Sequence, residues 1–377
     1  MDFTPVKELL DSFLEQGLPG FDFVLYHKGR CVLRHMNGVS DLEKQTPVCG
    51  KELYNIYSCT KPITVAAALL LWEQGKLRLE DRLSDYISEF SQIYIKETVA
   101  SGGSSDGIAL SHEERVLSEV LRPAENTITI ENLFTMRAGM NYNTHSPGLE
   151  KARKATDGRC PTLETIRYFA ADPLRCEPGT QYRYSLAHDV LAAVIEVVSG
   201  MRYGEFVAEH IFKPLGMENS TYLLPEERLD EVCGQYEYDK EKGVFKNAGK
   251  HILHYKLGSE YESGGAGLVC TVEDYIRFLE GLRTGKILKQ ETIDMMTTPR
   301  VPQEQYTNPN YAYGLGVRCP KPNSEHTDFG WGGHAGSYLA VDRKHEFSFF
   351  YAQHAVGAPG VKAAELTPLI RKIVENS

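Results

Sequence analysis

The pattern of hydrophobic and polar positions predicts helices at both ends of the chain and strands just inside them. Apolar residues recur every three or four positions in residues 6–17 and 362–377, which is the spacing of an amphipathic helix. Residues 21–38, 311–319 and 337–353 instead carry β-branched and aromatic residues broken by polar or glycine-containing turns, which is typical of strands. Both ends of the chain therefore contribute strands.

Two further helices are predicted in the middle of the chain, each with recognisable end signals. The first has Ser185 as its expected N-cap and Gly200 just past its end. The second begins with Thr271 and Asp274 at the spacing of a capping box, and Gly285 follows its last turn. Helices are thus concentrated between the strands of the two ends.

This distribution predicts an α/β fold of the α+β type, with an antiparallel sheet that is flanked by the terminal helices and interrupted by an inserted domain. We expect residues 1–60 and 255–377 to form the sheet domain and residues 61–254 to form a mainly helical domain. The functional site is expected in the cleft between them. Residues 100–114, rich in Gly and Ser, are predicted to be an exposed flexible loop.

The composition excludes several classes of protein. A chain of 377 residues with 42% hydrophobic and 24% charged residues can bury the core of an ordinary globular protein. Its net charge of -10 disfavours nucleic acid or an anionic membrane as a partner. The longest apolar run, residues 65–72, is too short to span a bilayer, and the N-terminal stretch does not resemble a secretory signal. The eight cysteines include no C-x-x-C pair, so we expect reduced thiols in a cytoplasmic protein.

The candidate chemistry lies at the start of the helix that contains this apolar run. Ser58 and Lys61 are three positions apart and therefore project from nearly the same helix face. The lysine could accept the serine proton if burial kept part of it neutral. About one such pair is expected by chance in this chain, so the spacing alone proves little. The residues from 63 to 72 are apolar on all sides, which indicates a buried helix whose polar first turn lies at the edge of a core.

The sequence resembles the serine β-lactamases and penicillin-binding proteins, in particular the class C-like branch. Ser58-Cys59-Thr60-Lys61 is similar to the nucleophile motif of that superfamily, and residues 177–200 resemble the block that carries its catalytic tyrosine, here Tyr184. The remaining similar blocks follow in the same order as in the family and are residues 75–90, 128–140, 211–222 and 262–279. The resemblance covers nearly the whole chain and implies a β-lactamase/transpeptidase-like fold.

Two departures from the family pattern bear on the substrate. Leu186 stands where the β-lactamases and peptidases usually carry Asn, and Trp331-Gly332-Gly333 aligns with their Lys-Thr-Gly strand. A second alignment, with His334-Ala335-Gly336, stays open. The first alignment is closest to the family VIII carboxylesterases. Without the lysine the site lacks a cation for a substrate carboxylate, so a neutral ester or amide is favoured over a β-lactam.

The resemblance implies that Ser58 attacks an acyl carbon and that Lys61 and Tyr184 share the proton transfers. Which of the two is the primary base stays open. The oxyanion is expected to bind the backbone N–H groups of Ser58 and His334.

Trp331, Gly332 and Gly333 are expected to line the substrate site beside these groups. The glycines would let the strand approach the substrate closely.

The expected function is a serine acyl-enzyme hydrolase, a carboxylesterase whose partner is a small-molecule acyl substrate. The alternatives are a β-lactamase, a D-stereospecific peptidase or amidase, or an acyltransferase with the same Ser-Lys-Tyr site. A non-catalytic ligand-binding protein is a further alternative. No cofactor or metal is expected, because His251 and His254 have a metal-compatible spacing but no neighbouring ligand to complete a site. The sequence does not specify an oligomeric state.

Overall fold

Both ends of the chain build one eight-stranded antiparallel sheet in the computed structural model, which describes residues 1–101, 116–249 and 256–377. The described strands are β1 (Gly20–His27), β2 (Arg30–Asp41), β3 (Thr46–Pro47), β4 (Tyr54–Asn55), β5 (Tyr94–Ser101), β6 (Val116–Pro123), β7 (Tyr236–Asp239), β8 (Val244–Asn247), β9 (Val269–Cys270), β10 (Tyr311–Tyr313), β11 (Arg318–Pro320), β12 (Asp328–Gly332), β13 (Tyr338–Asp342), β14 (Phe347–Ala352) and β15 (Ala355–Val356). The described helices are α1 (Thr4–Glu15), α2 (Lys61–Glu73), α3 (Ile130–Phe134), α4 (Pro147–Ala155), α5 (Thr162–Phe169), α6 (Ala187–Ser199), α7 (Tyr203–Val207), α8 (Lys213–Leu215), α9 (Val272–Thr284), α10 (Gln290–Met296) and α11 (Leu366–Glu375).

The order of strands in the main sheet is β10-β11-β12-β13-β14-β1-β2-β3. Strand β1 joins the two ends of the chain, since it pairs with β2 on one side and with β14 on the other. The connection between β1 and β2 is the tight turn Lys28-Gly29, in which both residues have positive φ angles of 51° and 76°. The predicted antiparallel α/β architecture is confirmed.

Helices cover both faces of this sheet. Alternate residues of β1, namely Phe21, Phe23 and Leu25, belong to the core that also contains Phe13 of α1 and Ile370 of α11. The opposite face of β1 and β14 packs against α9. The terminal helices therefore flank the sheet, as predicted from their periodicity.

The middle of the chain forms a large helical core around α2 and α6, which pack side by side. Every residue of α2 from Lys61 to Leu69 is buried, so the prediction of a buried helix is confirmed. The division into residues 1–60 with 255–377 and residues 61–254 stays a prediction, and its second boundary lies outside the described residues.

The two predicted N-caps had different outcomes. Thr271 caps α9 by accepting a hydrogen bond from the backbone N–H of Asp274 at 3.2 Å, as predicted. The prediction for Ser185 was wrong: α6 begins at Ala187 with Leu186 at the N-cap, and Ser185 Oγ instead lies 3.9 Å from the sulfur of Met136. The side chain of Ser185 is therefore buried against Met136.

The segment predicted as an exposed loop, residues 100–114, lies mostly outside the described residues. Strands β5 and β6 pair as an antiparallel hairpin on either side of it, and the sequence pattern did not predict these strands. No helix in the described part of the chain combines the length and apolar character needed to cross a membrane.

Candidate active site

Ser58 lies in one turn of 3₁₀-helix, Tyr57–Thr60, that continues directly into α2. The preceding residue, Tyr57, has a φ of 48°, a left-handed backbone conformation that costs a non-glycine residue about 1–2 kcal/mol. Buried contacts hold this turn. The hydroxyl of Tyr57 donates to Gln235 Oε1 at 2.7 Å, and the hydroxyl of Tyr275 donates to the carbonyl of Cys59 at 2.5 Å. The nucleophile candidate is therefore held on a constrained turn.

Lys61 is fully buried and its ammonium points at Ser58. Lys61 Nζ donates to Ser58 Oγ at 3.2 Å and to the carbonyl oxygen of Gly265 at 2.7 Å. It also lies 4.5 Å from the ring centroid of Tyr184, within the range of a cation–π interaction. The i, i+3 spacing thus brings the amine and the hydroxyl together on one helical face, as the sequence predicts.

Tyr184 reaches Ser58 from the other side. Its hydroxyl donates to Ser58 Oγ at 2.6 Å, and the indole N–H of Trp331 donates to the Tyr184 oxygen at a longer distance of 3.4 Å. The Tyr184 ring stacks between Tyr142, at a centroid distance of 5.4 Å, and Trp331, at 6.0 Å. This aromatic stack fixes the direction of the phenol.

The end of β12 forms the opposite wall of the site. A Cβ added to Gly333 would lie 2.5 Å from the carbonyl oxygen of Ile56, so only a glycine lets this strand approach the turn that carries Ser58. Around Gly332 the nearest atoms would be 3.6 Å from an added Cβ, which is ordinary contact. Position 333 therefore requires a glycine because of the turn that carries Ser58. From the sequence, the expected reason was a close approach of the strand to the substrate.

The next three residues leave the strand. His334 is exposed, Ala335 is buried, and Gly336 occupies a turn with a φ of 98° packed against Gln353. Trp331 and Gly332 thus lie on the strand beside Ser58, which favours the first of the two alignments.

A cavity of about 460 Å³ opens in front of Ser58. Its lining residues are Ser58, Tyr142, Tyr184, Arg318, Trp331, Gly332, Gly333, His334 and Tyr338. All of the predicted site residues except the buried Lys61 line this cavity. Sequence reasoning missed Tyr142, Arg318 and Tyr338. No local pattern marks these three residues, since each lies among other aromatic or polar residues in a loop or strand and reaches the cavity only through the fold.

The positive charge of Arg318 is balanced by the carboxylate of Asp328. Arg318 Nη1 donates to Asp328 Oδ2 at 2.6 Å, and its Nη2 donates to the carbonyl oxygen of Leu339. Asp328 also accepts from Arg371 at 2.5 Å. These two arginines hold the pKa of the buried Asp328 carboxyl below its usual range, although burial by itself acts in the opposite direction. The guanidinium at the cavity is therefore committed to an ion pair.

Two further titratable groups lie buried next to Lys61. Burial raises the pKa of Asp189, while hydrogen bonds from Ser263 and Tyr261 and the charge of Lys61 oppose that rise. Burial also lowers the pKa of His188 to about 3, and the Lys61 charge adds to this effect. His188 is therefore neutral in the folded protein at physiological pH.

Cys59, next to the nucleophile candidate, points away from the cavity. Its side chain is buried with Sγ 3.8 Å from the carbonyl of Ser337, and burial raises the pKa of the thiol. Within the described residues no group of three His, Cys, Asp or Glu side chains is placed to hold a metal ion. The pair His251 and His254 lies outside the described residues.

The family model described as Beta-lactamase matches residues 6–372. The chain therefore belongs to the beta-lactamase family and is an enzyme of the serine hydrolase class.

Known relatives extend this comparison. Esterase EstB of Burkholderia gladioli is 26% identical over 321 residues, which cover 78% of this chain and 74% of that protein. The human serine beta-lactamase-like protein LACTB, mitochondrial, is 25% identical over 93% of this chain and 69% of its own length. Among solved structures, EstCE1, "a hydrolase with promiscuous acyltransferase activity", superposes with a TM-score of 0.76 at 22% identity, covering 98% of this chain and 97% of that one.

Proposed function

We propose that the protein is a carboxylesterase that cleaves small neutral esters or amides through an acyl-enzyme at Ser58. One set of contacts supports this most directly: Ser58 Oγ accepts hydrogen bonds from Lys61 Nζ at 3.2 Å and from the Tyr184 hydroxyl at 2.6 Å. The oxygen that must lose a proton to become a nucleophile is thus in contact with two groups able to carry that proton.

In the acylation step, Ser58 Oγ forms a bond to the acyl carbon while its proton passes to Lys61 Nζ in its neutral amine form or to the Tyr184 oxygen in its deprotonated form. That proton then goes to the oxygen of the leaving alcohol as its bond to the acyl carbon breaks. In the second step a water oxygen attacks the acyl carbon and loses a proton to the same group, and Ser58 Oγ takes that proton back as its bond to the acyl carbon breaks.

The negative oxygen that develops on the acyl carbon would be held by the backbone N–H groups of Ser58 and His334. Ser58 lies at the start of the turn that leads into α2, where the helix dipole favours negative charge. His334 directly follows the glycine that packs against this turn. Trp331 and Gly332 then border the acyl or alcohol group of the substrate.

The charges at the cavity support a neutral substrate. Its lining contains one guanidinium, Arg318, which is already paired with the buried Asp328, so it is not available to a substrate carboxylate. The aromatic rings of Tyr142 and Trp331 provide apolar walls instead. The esterase EstB and the hydrolase EstCE1 among the known relatives also support an ester as the substrate.

We further propose that the enzyme acts on its small-molecule substrate in the cytoplasm. All eight cysteines are free thiols in the structure, as is usual for proteins of a reducing compartment.

The test measures hydrolysis of p-nitrophenyl butyrate and of nitrocefin by the wild type, by Ser58→Ala and by Ser185→Ala. Ser185→Ala is the matched control because this hydroxyl is buried next to Tyr184 but contacts Met136. We expect ester turnover that falls about a thousandfold or more in Ser58→Ala and stays near the wild-type value in Ser185→Ala.

Each alternative gives a different result in this test. Rapid nitrocefin turnover without ester turnover identifies a β-lactamase, and ester cleavage that yields a new ester when an alcohol is added identifies an acyltransferase. Release of the amine from a D-amino acid amide, with little turnover of the ester, identifies a D-amidase. Equal behaviour of the wild type and Ser58→Ala on every acyl substrate rejects the catalytic function.

A further inference from the structure

Asp189, a buried residue of α6, has one carboxylate oxygen with side-chain donors and one without them. Its Oδ1 accepts hydrogen bonds from the Tyr261 hydroxyl at 2.9 Å and from Ser263 Oγ at 2.6 Å. Its Oδ2 accepts no regular hydrogen bond from the residues that the structure describes. A buried carboxylate without a full set of donors is costly unless a positive charge lies close by.

The group that can supply this positive charge is Lys61, which lies across the backbone of Gly265. A Cβ added to Gly265 would lie 2.5 Å from Asp189 Oδ2 and 3.5 Å from Lys61 Nζ, so the carboxylate and the ammonium face the same small space. Lys61 Nζ donates to the carbonyl oxygen of Gly265 at 2.7 Å. The backbone N–H of Gly265 favours the charged form of the Asp189 carboxylate and so lowers its pKa. Only the backbone of Gly265 therefore lies between the carboxylate of Asp189 and the Nζ atom of Lys61.

We propose that Asp189 is a positioning residue that acts as the counter-charge of Lys61. This inference rests on the proposed function of Ser58. When Lys61 accepts the proton of Ser58, a full positive charge forms on a buried side chain. The negative charge of Asp189 stabilises that ammonium and, through Gly265, keeps it directed at Ser58 Oγ. Asp189 itself touches neither the substrate nor the reacting atoms.

Other titratable groups surround Lys61 and Asp189, and they belong to several different elements of the fold. They are Cys59 in the turn before α2, His188 in α6, Tyr203 in α7, Tyr261 in the loop before α9, and Tyr142 and Tyr184 at the cavity. Burial raises the pKa of Cys59, Tyr203 and Tyr261 and lowers that of His188 to about 3. Between pH 5 and 9 these four groups are uncharged, so they place no further charge beside Lys61 and Asp189.

A double-mutant cycle tests the pair without relying on activity. The thermal midpoint is measured for the wild type, Asp189→Asn, Lys61→Met and the double variant. We expect Asp189→Asn to lower the midpoint in the wild-type background and to lower it about half as much or less when Lys61 is already replaced. An equal loss in both backgrounds overturns the inference.

The second measurement is the pH dependence of Ser58 acylation by p-nitrophenyl acetate between pH 5 and 9. Without the negative charge the ammonium form of Lys61 is less favourable, so we expect the acid limb of the profile to move to lower pH by about one unit or more in Asp189→Asn. The matched control is Asp172→Asn, since Asp172 is also buried with an unpartnered Oδ2 and faces a glycine, Gly148. Its profile is expected to match that of the wild type.

A profile that stays in place, or moves to higher pH, overturns the inference even if the rate falls, because a purely structural loss changes the amplitude and not the position. If Asp189→Asn does not fold, Ser263→Ala replaces it. That variant removes a donor to Oδ1 and is expected to move the profile in the same direction by a smaller amount. If no ester acylates Ser58, the proposed function is wrong. In that case the double-mutant cycle of thermal midpoints alone decides whether Asp189 is the counter-charge of Lys61.

Discussion

The hydroxyl of Tyr184 donates to Ser58 Oγ at 2.6 Å, although 126 positions separate the two residues. The contact exists because α2, which follows Ser58, packs side by side with α6, which begins just after Tyr184. Tyr184 is also 37% exposed, so the phenol connects the buried Lys61 to the open cavity. The proposed chemistry depends on the side chains of Ser58, Lys61 and Tyr184, and each of them can be replaced separately.

Removing the Tyr184 hydroxyl tests its share of the proton transfer. Tyr184→Phe keeps the ring stacked between Tyr142 and Trp331 but removes the contact with Ser58. We expect kcat on p-nitrophenyl butyrate to fall roughly 10²–10⁴-fold, the usual loss for a general acid or base, with little change in stability.

The matched control for this variant is Tyr313→Phe, which removes a buried hydroxyl from a ring that packs against Trp331 at 5.3 Å. Its kcat is expected to stay within about threefold of the wild type. Equal losses in the two variants would show that the aromatic packing, and not the Tyr184 hydroxyl, matters for turnover.

Gly332, the last residue of β12, and Gly333, which follows it, are expected to differ in their tolerance of a side chain. Gly333→Ala places a methyl group 2.5 Å from the Ile56 carbonyl, so the turn that carries Ser58 must shift. We expect a loss of about 1–3 kcal/mol in the free energy of unfolding and at least a tenfold loss in kcat/KM.

Gly332→Ala is the matched control, because its methyl group would meet nothing closer than 3.6 Å. Its free energy of unfolding, measured by urea titration, is expected to stay within about 0.5 kcal/mol of the wild type. Similar destabilisation of both variants would contradict a specific role for the contact between Gly333 and Ile56.

His334 is expected to matter through its backbone. His334→Ala keeps the N–H group and removes an exposed imidazole, so we expect ester turnover within about threefold of the wild type. His334→Pro removes the N–H and is expected to lower kcat about 10²–10³-fold, the loss typical of one oxyanion donor. Steady-state kinetics and circular dichroism of both variants check this, and a large loss in His334→Ala would instead assign a role to the imidazole.

Two buried histidines make the fold sensitive to acid. Burial lowers the pKa of His188 to about 3 and that of His354 to about 4, from an ordinary value of 6.5. Their contribution to stability is complete above pH 6.5 and is lost as the pH falls, because only the unfolded chain then takes up the protons. Each is expected to cost about 1.4 kcal/mol per pH unit between pH 6.5 and its folded pKa, or about 2 kcal/mol at pH 5.

Urea unfolding of the wild type and His354→Gln at pH 7 and pH 5 measures this effect. The variant is expected to lose less stability than the wild type between the two pH values, by about 2 kcal/mol. His210→Gln, which changes an exposed histidine, is the control and is expected to follow the wild type. The same pH dependence in His354→Gln and the wild type would contradict the buried-histidine explanation.

Most of the fold could be predicted from local pattern. The strands on either side of the Lys28-Gly29 turn follow from their β-branched and aromatic residues, and the cap at Thr271 follows from its side chain. Ser185 failed as an N-cap because the burial of its side chain against Met136 overrode the local preference of serine for a helix start. The hairpin of β5 and β6 was missed because its strands border a polar stretch without alternation.

The sequence by itself determined that Ser58 and Lys61 share one face at the start of a buried helix, because a helix fixes the distance between positions i and i+3. Its ordered blocks also identified the family and predicted Tyr184 as a site residue. Only the tertiary structure decided that Tyr142 stacks on Tyr184, that Gly333 packs against the Ser58 turn, and that Asp189 faces Lys61. Those relationships join segments far apart in the chain, and they depend on how helices, strands and loops pack around α2, which no local spacing encodes.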